Sequence, residues 1–279
     1  MERPLGTIEK PKVLPISKII VENERVKTFF FNIEWETRPG QFAILWIPRV
    51  NEKPFCISHN ENGEIGFTIC HVGDFTHKLF DLKVGDPVGI RGPYGSWFKT
   101  ENDYKTILLA GGGYGVAPLY NLAKSLEKKD IQIHFCNGAR TNKQLLYIKQ
   151  LKQANVSLHI STDDGSQGQK GTVIDTAIKC LEEDKIDCAY FCGPELMEKK
   201  LVELCIKKNI PSQVSIERYM KCGFGICGQC CLDDSGDRMC QEGPVISGIK
   251  AMQHSEFGKY HRNKSGVKQY YENNQTKKL

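Results

Sequence analysis

The first hundred residues alternate between short apolar segments and polar turns. Segments with strand-like alternation lie at residues 18–21, 26–32, 41–47, 65–71 and 87–91. Proline, glycine, asparagine and aspartate separate them, for example at 38–40, 60–63 and 84–86. Short strands with turn residues at this spacing predict an antiparallel β-barrel over residues 12–100.

After residue 103 the pattern changes to a regular alternation of strands and helices. Apolar strands are predicted at 106–110, 131–136, 156–161 and 188–192, and helices at 116–129, 143–154, 172–183 and 195–208. This alternation predicts a doubly wound parallel α/β sheet over residues 101–213. A small cysteine-rich loop domain at 214–250 and a polar, basic tail at 251–279 complete an α+β multidomain chain.

The composition is that of an ordinary soluble globular protein, with 40% hydrophobic and 25% charged residues. The formal net charge is +5, and much of the positive excess lies in the last thirty residues. A solvated tail accounts for this charge more simply than a nucleic-acid surface, which needs a basic face with base-reading or stacking side chains. We therefore expect no nucleic-acid partner.

The chain shows no segment typical of export or membrane insertion. Residues 1–12 lack the apolar core of a signal peptide, and glycines and a proline interrupt the apolar stretch near 106–123. We therefore expect a cytoplasmic protein without a membrane span. Its twelve cysteines are then not a disulfide framework. Clustered cysteines indicate a metal site, and scattered ones indicate buried thiols.

Four cysteines fall in one glycine-rich stretch. Cys222, Cys227 and Cys230 have the spacing C-x4-C-x2-C, and Cys240 follows. Plant-type [2Fe-2S] sites use this spacing, because a loop must wrap around two irons and supply thiolates from several directions. A zinc ribbon usually shows two C-x2-C pairs, and only one is present here. We predict a [2Fe-2S] cluster with Cys231 as a non-ligand; zinc and a chance group of buried thiols are the alternatives.

A glycine-rich turn follows the first strand of the α/β region. Gly111, Gly112, Gly113 and Gly115 lie between this strand and the next helix. A close backbone approach and a helix amino end favour a dinucleotide pyrophosphate at such a turn. The match to G-x-G-x-x-G is incomplete, because Val116 stands at the last glycine position.

A second turn, Cys192-Gly193-Pro194, ends the fourth strand of this region. Ligands of open α/β sheets bind at the carboxyl ends of strands, so both turns are expected to face one crevice for the nicotinamide nucleotide. A plain core thiol is the alternative role of Cys192. Arg140 follows the second strand, where an arginine binds either a 2′-phosphate or the adenosine, so the sequence leaves NAD and NADP both open.

In combination, these features resemble the ferredoxin reductase superfamily. The more specific resemblance, over residues 12–250, is to the electron transfer subunits of type B dihydroorotate dehydrogenase. It rests chiefly on residues 214–227, with the sequence VSIERYMKCGFGIC, and on residues 240–245, with the sequence CQEGPV. The resemblance implies that the barrel binds FAD, that the α/β domain binds NAD and that the loop domain holds the [2Fe-2S] cluster.

The resemblance also implies the FAD contacts. The family's Arg-Pro-x-Ser segment aligns with Lys53, Pro54, Phe55 and Cys56, with Ser58 as a substitute hydroxyl. Lysine keeps the positive charge but loses the bidentate geometry of arginine. A second segment matches the flavin and phosphate loop: Ile69, Cys70, His71, Gly73, Phe75 and Thr76. In this loop, a threonine hydroxyl and amide are expected to bind a phosphate.

The implied function is electron transfer, with no catalytic residues beyond the cofactors. Electrons would pass from an FMN-containing dihydroorotate dehydrogenase catalytic subunit through the [2Fe-2S] cluster and FAD to NAD, in pyrimidine (UMP) biosynthesis. The resemblance implies a heterotetramer of the two kinds of subunit. Two alternatives remain: the FAD/[2Fe-2S] subunit of a NAD(P)H-ferredoxin, sulfide or hydrogenase oxidoreductase complex, and a non-enzymatic iron-sulfur sensor.

Overall fold

The computed structural model describes residues 8–101 and 103–271. The elements of the N-terminal part are β1 (Ile8–Pro15), β2 (Lys18–Asn23), β3 (Val26–Asn32), β4 (Phe42–Ile47), β5 (Asn51–Cys56), β6 (His59–Glu61), β7 (Glu64–Cys70), α1 (Asp74–Asp81) and β8 (Pro87–Tyr94). The strands form two four-stranded antiparallel sheets, in the orders β1-β8-β4-β5 and β2-β3-β7-β6. Phe29 and Phe67 of one sheet share a core with Leu45 and Ile90 of the other. The predicted antiparallel β architecture is therefore confirmed.

Strand β4 is buried on both faces, which explains its uninterrupted apolar sequence. Ala43 and Leu45 lie in the core between the two sheets. Phe42 and Ile44 alternate with them and belong to a core shared with the C-terminal half of the chain. The strand therefore attaches the rest of the molecule to the outer face of the N-terminal sheets.

The second part of the chain forms a seven-stranded sheet in the order β12-β11-β10-β9-β13-β14-β15. Its elements are β9 (Thr106–Gly112), α2 (Val116–Ser125), β10 (Gln132–Ala139), α3 (Ile148–Gln153), β11 (Ser157–Thr162), β12 (Gln169–Lys170), α4 (Val173–Glu183), β13 (Cys188–Cys192), α5 (Glu195–Lys207), β14 (Ser212–Ser215) and β15 (Val245–Ser247). Strands β9 to β14 are paired in parallel. Separate cores with α2 on one face and with α4 and α5 on the other confirm the doubly wound sheet.

Two predicted helices are shorter in the structure. The helix predicted at 116–129 ends at Ser125, and only Ile148–Gln153 of the predicted 143–154 is α-helical. Tyr147 adopts a positive φ of 59°, and its ring stacks on that of Tyr120 at a centroid distance of 4.7 Å. This long-range aromatic contact replaces the first turns of the second helix, which the local pattern did not reveal.

The cysteine-rich segment is inserted between two neighbouring strands of the same sheet. Strand β15 returns to pair antiparallel with β14, so that Ser215 lies opposite Val245. Both ends of the segment are thereby fixed to the edge of the α/β domain. The loop between them packs against the N-terminal sheets.

The prediction of a solvated tail is wrong for residues 251–260, whereas most of residues 264–270 are exposed although they belong to a folded segment. Helix α6 (Gly248–Gln253) and the antiparallel pair β16 (Tyr260–Arg262) and β17 (Lys268–Tyr270) follow the cysteine-rich segment. The side chains of Ala251, Phe257 and Tyr260 are buried. A few widely spaced apolar residues anchor this segment, and the polar composition around them concealed the pattern. Residues 272–279 of the predicted tail lie outside the described residues.

Ion pairs hold the same segment in place. The guanidinium of Arg218 is buried and donates to Glu195 at 2.5 Å and to Glu256 at 2.6 Å. Arg262 pairs with Asp233 at 2.8 Å. The charges that suggested a solvated tail are therefore partly used in internal pairs. Within the described residues, no helix has the length and apolar character that a membrane span requires.

Replacement of Phe257 by alanine tests whether this C-terminal segment is part of the core. We expect Phe257→Ala to lower the free energy of unfolding by about 3–5 kcal/mol, because the ring is 2% exposed and its removal leaves a cavity. Tyr270→Ala is the matched control, since this side chain is 69% exposed and its loss should change stability by less than about 0.5 kcal/mol. Urea denaturation followed by circular dichroism measures both. If the two variants were equally stable, the segment would be a solvated tail rather than part of the core.

Candidate functional site

The four predicted ligand cysteines form two pairs. Cys227 lies close enough to Cys222, and Cys240 to Cys230, for each to affect the pKa of its neighbour's thiol. Burial would raise the pKa of Cys222, but hydrogen bonds from backbone amides lower it to about 7. The hydrogen bond from Cys240 likewise lowers the pKa of Cys230 to about 7. At Cys222 and Cys230 the loop therefore favours thiolates, which are the form that binds metal, whereas the hydrogen bond with Cys230 raises the pKa of Cys240.

This pairing fits a two-iron cluster better than a single metal ion. One tetrahedral zinc with Zn–S bonds of about 2.3 Å would hold four sulfur atoms about 3.8 Å apart. Across residues 8–101 and 103–271, no three of these cysteine sulfurs lie within 4.8 Å of one another. In a [2Fe-2S] rhomb each iron takes two protein ligands, so two separate thiol pairs match it.

Glycines allow the loop to wrap closely around this position. Gly223 and Gly225 adopt positive φ values of 79° and 83°, which other residues rarely do. A Cβ atom added to Gly225 would lie 2.8 Å from the side chain of Gln241. Any larger residue would therefore push the two arms of the loop apart.

An arginine of the N-terminal sheets contacts the cysteine loop and holds it in place. Arg91, in β8, is buried and donates from Nη1 to the carbonyl oxygen of Cys222 at 2.5 Å. The same guanidinium forms a bidentate pair with Glu52 of β5, at 2.6 and 3.2 Å. The sequence analysis missed both residues, although an arginine within an apolar strand is a signal of a buried charge with a fixed partner.

The two glycine turns of the α/β domain meet, as predicted. Strands β9 and β13 are in register so that Gly111 lies beside Cys192. A Cβ atom on Gly115 would lie 2.3 Å from the carbonyl oxygen of Cys192, so only glycine permits this approach. Gly112 packs in the same way against Pro194, where an added Cβ would be 3.0 Å from the ring.

Side chains from all three parts of the chain come together beside these turns, at the place of the predicted crevice, and we call this region the crevice. Tyr114, between the glycines, donates its hydroxyl hydrogen to Glu217 over 3.3 Å and is 45% exposed. Burial of its carboxyl group raises the pKa of Glu217, although part of the residue is exposed to solvent. Burial, and then the nearby Glu217, raise the pKa of Cys56 to about 12. Burial also raises the pKa of Cys192.

These pKa shifts determine the reactivity of the thiols in the crevice. A thiol with a raised pKa stays protonated at neutral pH and is a poor nucleophile. Cys56 and Cys192 therefore serve as a polarizable, uncharged lining. Cys70, at the end of β7, lies close enough to raise the pKa of Tyr114 and completes this lining. Sequence analysis selected the three cysteines but missed Tyr114 and Glu217, although both stand inside or next to the quoted motifs.

Three of the residues predicted to contact FAD have buried side chains with local partners, and their FAD contacts stay predictions. Ser58 has no exposed surface, and its hydroxyl donates to the carbonyl oxygen of Gly66 at 3.0 Å. Ile69 is 1% exposed and belongs to the core of the N-terminal sheets. The hydroxyl of Thr76 donates to the carbonyl oxygen of Gly73 at 2.8 Å and closes the first turn of α1. Local packing and helix capping use these groups, which the motif alone did not show.

Most of the remaining residues of the predicted FAD segments are partly exposed, but Phe75 is buried in the core of the N-terminal sheets. Lys53 donates from Nζ to the hydroxyl of Tyr219 at 2.7 Å, and the ring of Phe55 stacks on that of Phe75 at 5.8 Å. Pro54 is tolerated because β5 is an edge strand. His71 stacks on a phenylalanine of α1 at 4.7 Å.

Arg140 follows β10 at the carboxyl edge of the parallel sheet, as the sequence indicated. The end of the adjacent strand β11 supplies Asp163. Burial raises the pKa of Asp163, and the charge of Arg140 opposes this shift. A carboxyl group thus stands beside the arginine at the place where a dinucleotide's adenosine end is expected.

The paired N-terminal sheets, the parallel sheet and the cysteine loop define an iron-sulfur oxidoreductase with a ferredoxin reductase-like fold. A solved structure titled as an NADH-dependent reduced ferredoxin-NADP oxidoreductase, from work on flavin-based electron bifurcation, is 32% identical, with a TM-score of 0.78 over 85% of this chain and 89% of its own. A ferredoxin reductase of carbazole 1,9a-dioxygenase shares the fold, with a TM-score of 0.65 over 74% of this chain and 68% of its own, at 20% identity.

Sequence comparisons identify the family. Residues 217–250 match the iron-sulfur cluster binding domain of dihydroorotate dehydrogenase B, and residues 109–203 match an oxidoreductase NAD-binding domain. The relative in Methanocaldococcus jannaschii, "Probable dihydroorotate dehydrogenase B (NAD(+)), electron transfer subunit", is 46% identical over 95% of this chain and 100% of its own length. One of the same name in Methanothermobacter thermautotrophicus is 42% identical over 94% and 98%. The chain belongs to the family of dihydroorotate dehydrogenase B electron transfer subunits.

Serine substitutions test the assignment of the cluster ligands. We expect Cys222→Ser, Cys227→Ser, Cys230→Ser or Cys240→Ser to reduce bound iron from about two atoms per chain to a small fraction, because each iron needs two thiolates. Cys231→Ser is the matched control and should keep its iron. Colorimetric iron analysis and the electron paramagnetic resonance of the reduced protein give the readout. If only Cys231→Ser lost its iron, Cys231 would be a ligand and the assignment would be wrong.

Proposed function

We propose that this chain is the electron transfer subunit of a dihydroorotate dehydrogenase B. In this role it passes electrons between an FMN-containing catalytic subunit, which oxidises dihydroorotate, and NAD. The chain binds FAD and a [2Fe-2S] cluster for this purpose and serves pyrimidine biosynthesis. Membership of the family and the geometry of the crevice support the proposal.

The observation that carries it is the direct contact between the predicted flavin strand and the cluster loop. Lys53, on β5, bonds to Tyr219, three positions before the first ligand cysteine. Glu52 of the same strand reaches the loop through Arg91, which binds the carbonyl oxygen of Cys222. A flavin on β5 would therefore lie next to the cluster, as electron transfer between them requires.

The residues of this region fit an FAD. The uncharged cysteine lining of the crevice suits a flat aromatic ring, and Tyr114 stands at its open side. The amino end of α1, capped at Gly73, offers the positive end of a helix dipole to a pyrophosphate. With the hydroxyl of Thr76 used in the cap, we assign the phosphate contact to backbone amides and to the charge of Lys53.

The glycine turns fit a nicotinamide dinucleotide, because open space surrounds Gly113 at the amino end of α2, where backbone amides can bind a pyrophosphate. Arg140 by itself would favour a 2′-phosphate. The carboxyl group of Asp163 beside it offsets that charge and suits a free 2′-hydroxyl, so we assign NAD rather than NADP.

FAD, when bound, exchanges a hydride with the nicotinamide and single electrons with the cluster. The protein orients these groups and controls charge around them. Glu217 holds a proton more readily than an ordinary glutamate and accepts a hydrogen bond from Tyr114 at the crevice. The protonated thiols of Cys56 and Cys192 keep negative charge away from the crevice.

The partner is expected to dock at the cluster loop. Ile226 is 77% exposed and adjoins Cys227, itself exposed, so an apolar side chain marks the edge of the cluster site. Burial of this edge against the catalytic subunit would bring its FMN close to the cluster. We infer two subunits of each kind from the family resemblance. The twelve free cysteines suit a cytoplasmic location.

The experiment that tests the function is a set of visible spectra. The chain is purified anaerobically, alone and together with a candidate FMN-containing subunit, and NADH, NADPH or dihydroorotate is added. We expect flavin and iron-sulfur absorption that bleaches with NADH alone, and with dihydroorotate only when the partner is present. NADPH should act much more slowly.

Other outcomes identify the alternatives. Bleaching by NADPH without any response to dihydroorotate in the complex would indicate a ferredoxin-type reductase subunit, in line with the 32% identical solved structure. Iron-sulfur absorption without flavin would indicate a sensor. Either outcome would contradict the proposal.

The carboxyl group of Glu217 offers a more local test. We expect Glu217→Gln to lower kcat for NADH with an artificial acceptor about tenfold, while FAD and iron contents stay unchanged. Because burial raises its pKa, activity that needs the carboxylate should fall as the pH drops through a value above that of an ordinary glutamate. This acidic limb should disappear in the variant. Glu182→Gln, on the exposed face of α4, is the control that should retain the wild-type pH profile.

A further inference from the structure

A second group of metal-ligand side chains lies in the α/β domain, separate from the cluster loop. His134 is near the amino end of β10, His159 is near the amino end of β11, and Cys180 is in the last turn of α4. The glycine turns occupy the opposite, carboxyl end of the same sheet. Nothing in the proposed electron path uses this group.

The three side chains converge on one point. A ring nitrogen of each histidine and the sulfur of Cys180 all lie within 4.8 Å of one another. The closest ring nitrogens, Nδ1 of His134 and Nε2 of His159, are 3.2 Å apart. Zinc bonds of about 2.0–2.1 Å to nitrogen give a tetrahedral edge of about 3.3 Å between two imidazoles. The observed separation is close to that edge.

A second cysteine, Cys136, adjoins the group. Its sulfur is not among the ligand atoms that all lie within 4.8 Å of one another, so its side chain would have to turn toward the histidines to become the fourth ligand. The sulfur of Cys136 is 3.8 Å from that of Cys180, which equals the edge expected for two thiolates on one tetrahedral zinc of Zn–S about 2.3 Å. Cys136 lies two residues beyond His134 on the same face of β10, and the strand register places it beside His159. Both cysteines are almost completely buried.

A carboxylate stands behind one of the histidines. Oδ2 of Asp184, the residue that ends α4, is 3.5 Å from Nε2 of His134. Histidines that bind a metal through one ring nitrogen commonly donate from the other to a carboxylate, which fixes the tautomer and the ring orientation. Nδ1 of His134 faces His159, whereas its Nε2 faces Asp184 and, at 3.1 Å, the side-chain amide of Gln132. The nitrogen toward the proposed ion and the nitrogen toward the outer polar groups are therefore the two different atoms that this arrangement needs.

Internal hydrogen bonding alone accounts less well for the group. Two imidazoles and two thiols from three elements would have to share their few protons in a buried space. A divalent cation would accept a lone pair from each ring nitrogen and each sulfur at once.

We propose that His134, His159 and Cys180, with Cys136 as the fourth ligand, bind a divalent ion of the zinc class. The closed set of two nitrogen and two sulfur ligands is typical of a structural site without catalytic chemistry. The ion ties β10, β11 and α4 together at the end of the sheet that is remote from the nucleotide. This inference does not depend on the proposed function.

The test measures zinc and iron in the same samples. The full-length protein, purified with its cofactors, is dialysed against zinc chloride and then against buffer, and both metals are quantified by mass spectrometry. We expect one zinc per chain beside the iron of the cluster. Cys180→Ser and His159→Asn should lose the zinc and keep the iron, whereas Cys227→Ser should lose the iron and keep the zinc.

Two further variants sharpen the comparison. Cys205→Ser replaces another buried cysteine, in α5, and should keep both metals. Asp184→Asn leaves all proposed ligands in place and should weaken zinc binding about 10- to 100-fold, as the loss of an outer carboxylate typically does. Because the side chain of Asp184 is 41% exposed, this variant is expected to fold normally.

Zinc-edge X-ray absorption of the unmodified protein provides a test that needs no variant. A first shell of two nitrogen and two sulfur atoms is expected. A shell of four sulfur atoms would place the zinc in the cluster loop and overturn the proposal. The proposal would also be overturned if the unmodified protein did not retain zinc. It would be overturned as well if the Cys180→Ser and Cys205→Ser variants held equal amounts of zinc.

Discussion

The buried guanidinium of Arg91 is the contact on which the geometry of the redox region depends. A charge in this position is tolerated only if it is paired and hydrogen bonded. Glu52 supplies the pairing from the edge strand β5, and the carbonyl oxygen of Cys222 accepts a further hydrogen bond. One side chain thereby fixes the distance between the proposed flavin strand and the first ligand of the cluster.

The environments of the cysteines distinguish three kinds of thiol. In the cluster loop, backbone amides and neighbouring thiols lower the pKa values of Cys222 and Cys230, which favours iron binding. In the crevice, burial and the proximity of Glu217 raise that of Cys56, which keeps the lining neutral. A third environment, in which Cys180 of α4 meets Cys136 and His159, lowers the pKa of that thiol through hydrogen bonds. The same residue type thus serves different roles because its burial, its neighbouring charges and its hydrogen bonds differ.

The C-terminal segment completes the fold around the cysteine loop. Strand β15 pairs with β14 of the α/β sheet, and the buried Arg218 holds Glu195 of α5 and Glu256 of the following segment together. His261, in β16, is close enough to lower the pKa of Glu217. A region whose composition suggested a solvated tail therefore contributes to the electrostatics of the crevice.

The sequence by itself determined the features that depend on local spacing. The C-x4-C-x2-C motif indicated the cluster, and the turns at Gly111 to Gly115 and at Cys192 indicated a shared crevice. The alternation of strands and helices indicated the parallel sheet. Each of these signals is short in range, because a loop around two irons or a turn beside a phosphate needs its residue types within a few positions.

Only the tertiary structure decided which side chains reach each other from distant parts of the chain. The partnership of Arg91 with the cluster loop joins residues 131 positions apart, and the approach of His134, His159 and Cys180 joins three elements. Stacking of Tyr147 on Tyr120 shortened a helix that the periodicity favoured. The hydroxyls of Ser58 and Thr76 were used in local hydrogen bonds. Such outcomes depend on packing and on the satisfaction of buried polar groups, which no local pattern encodes.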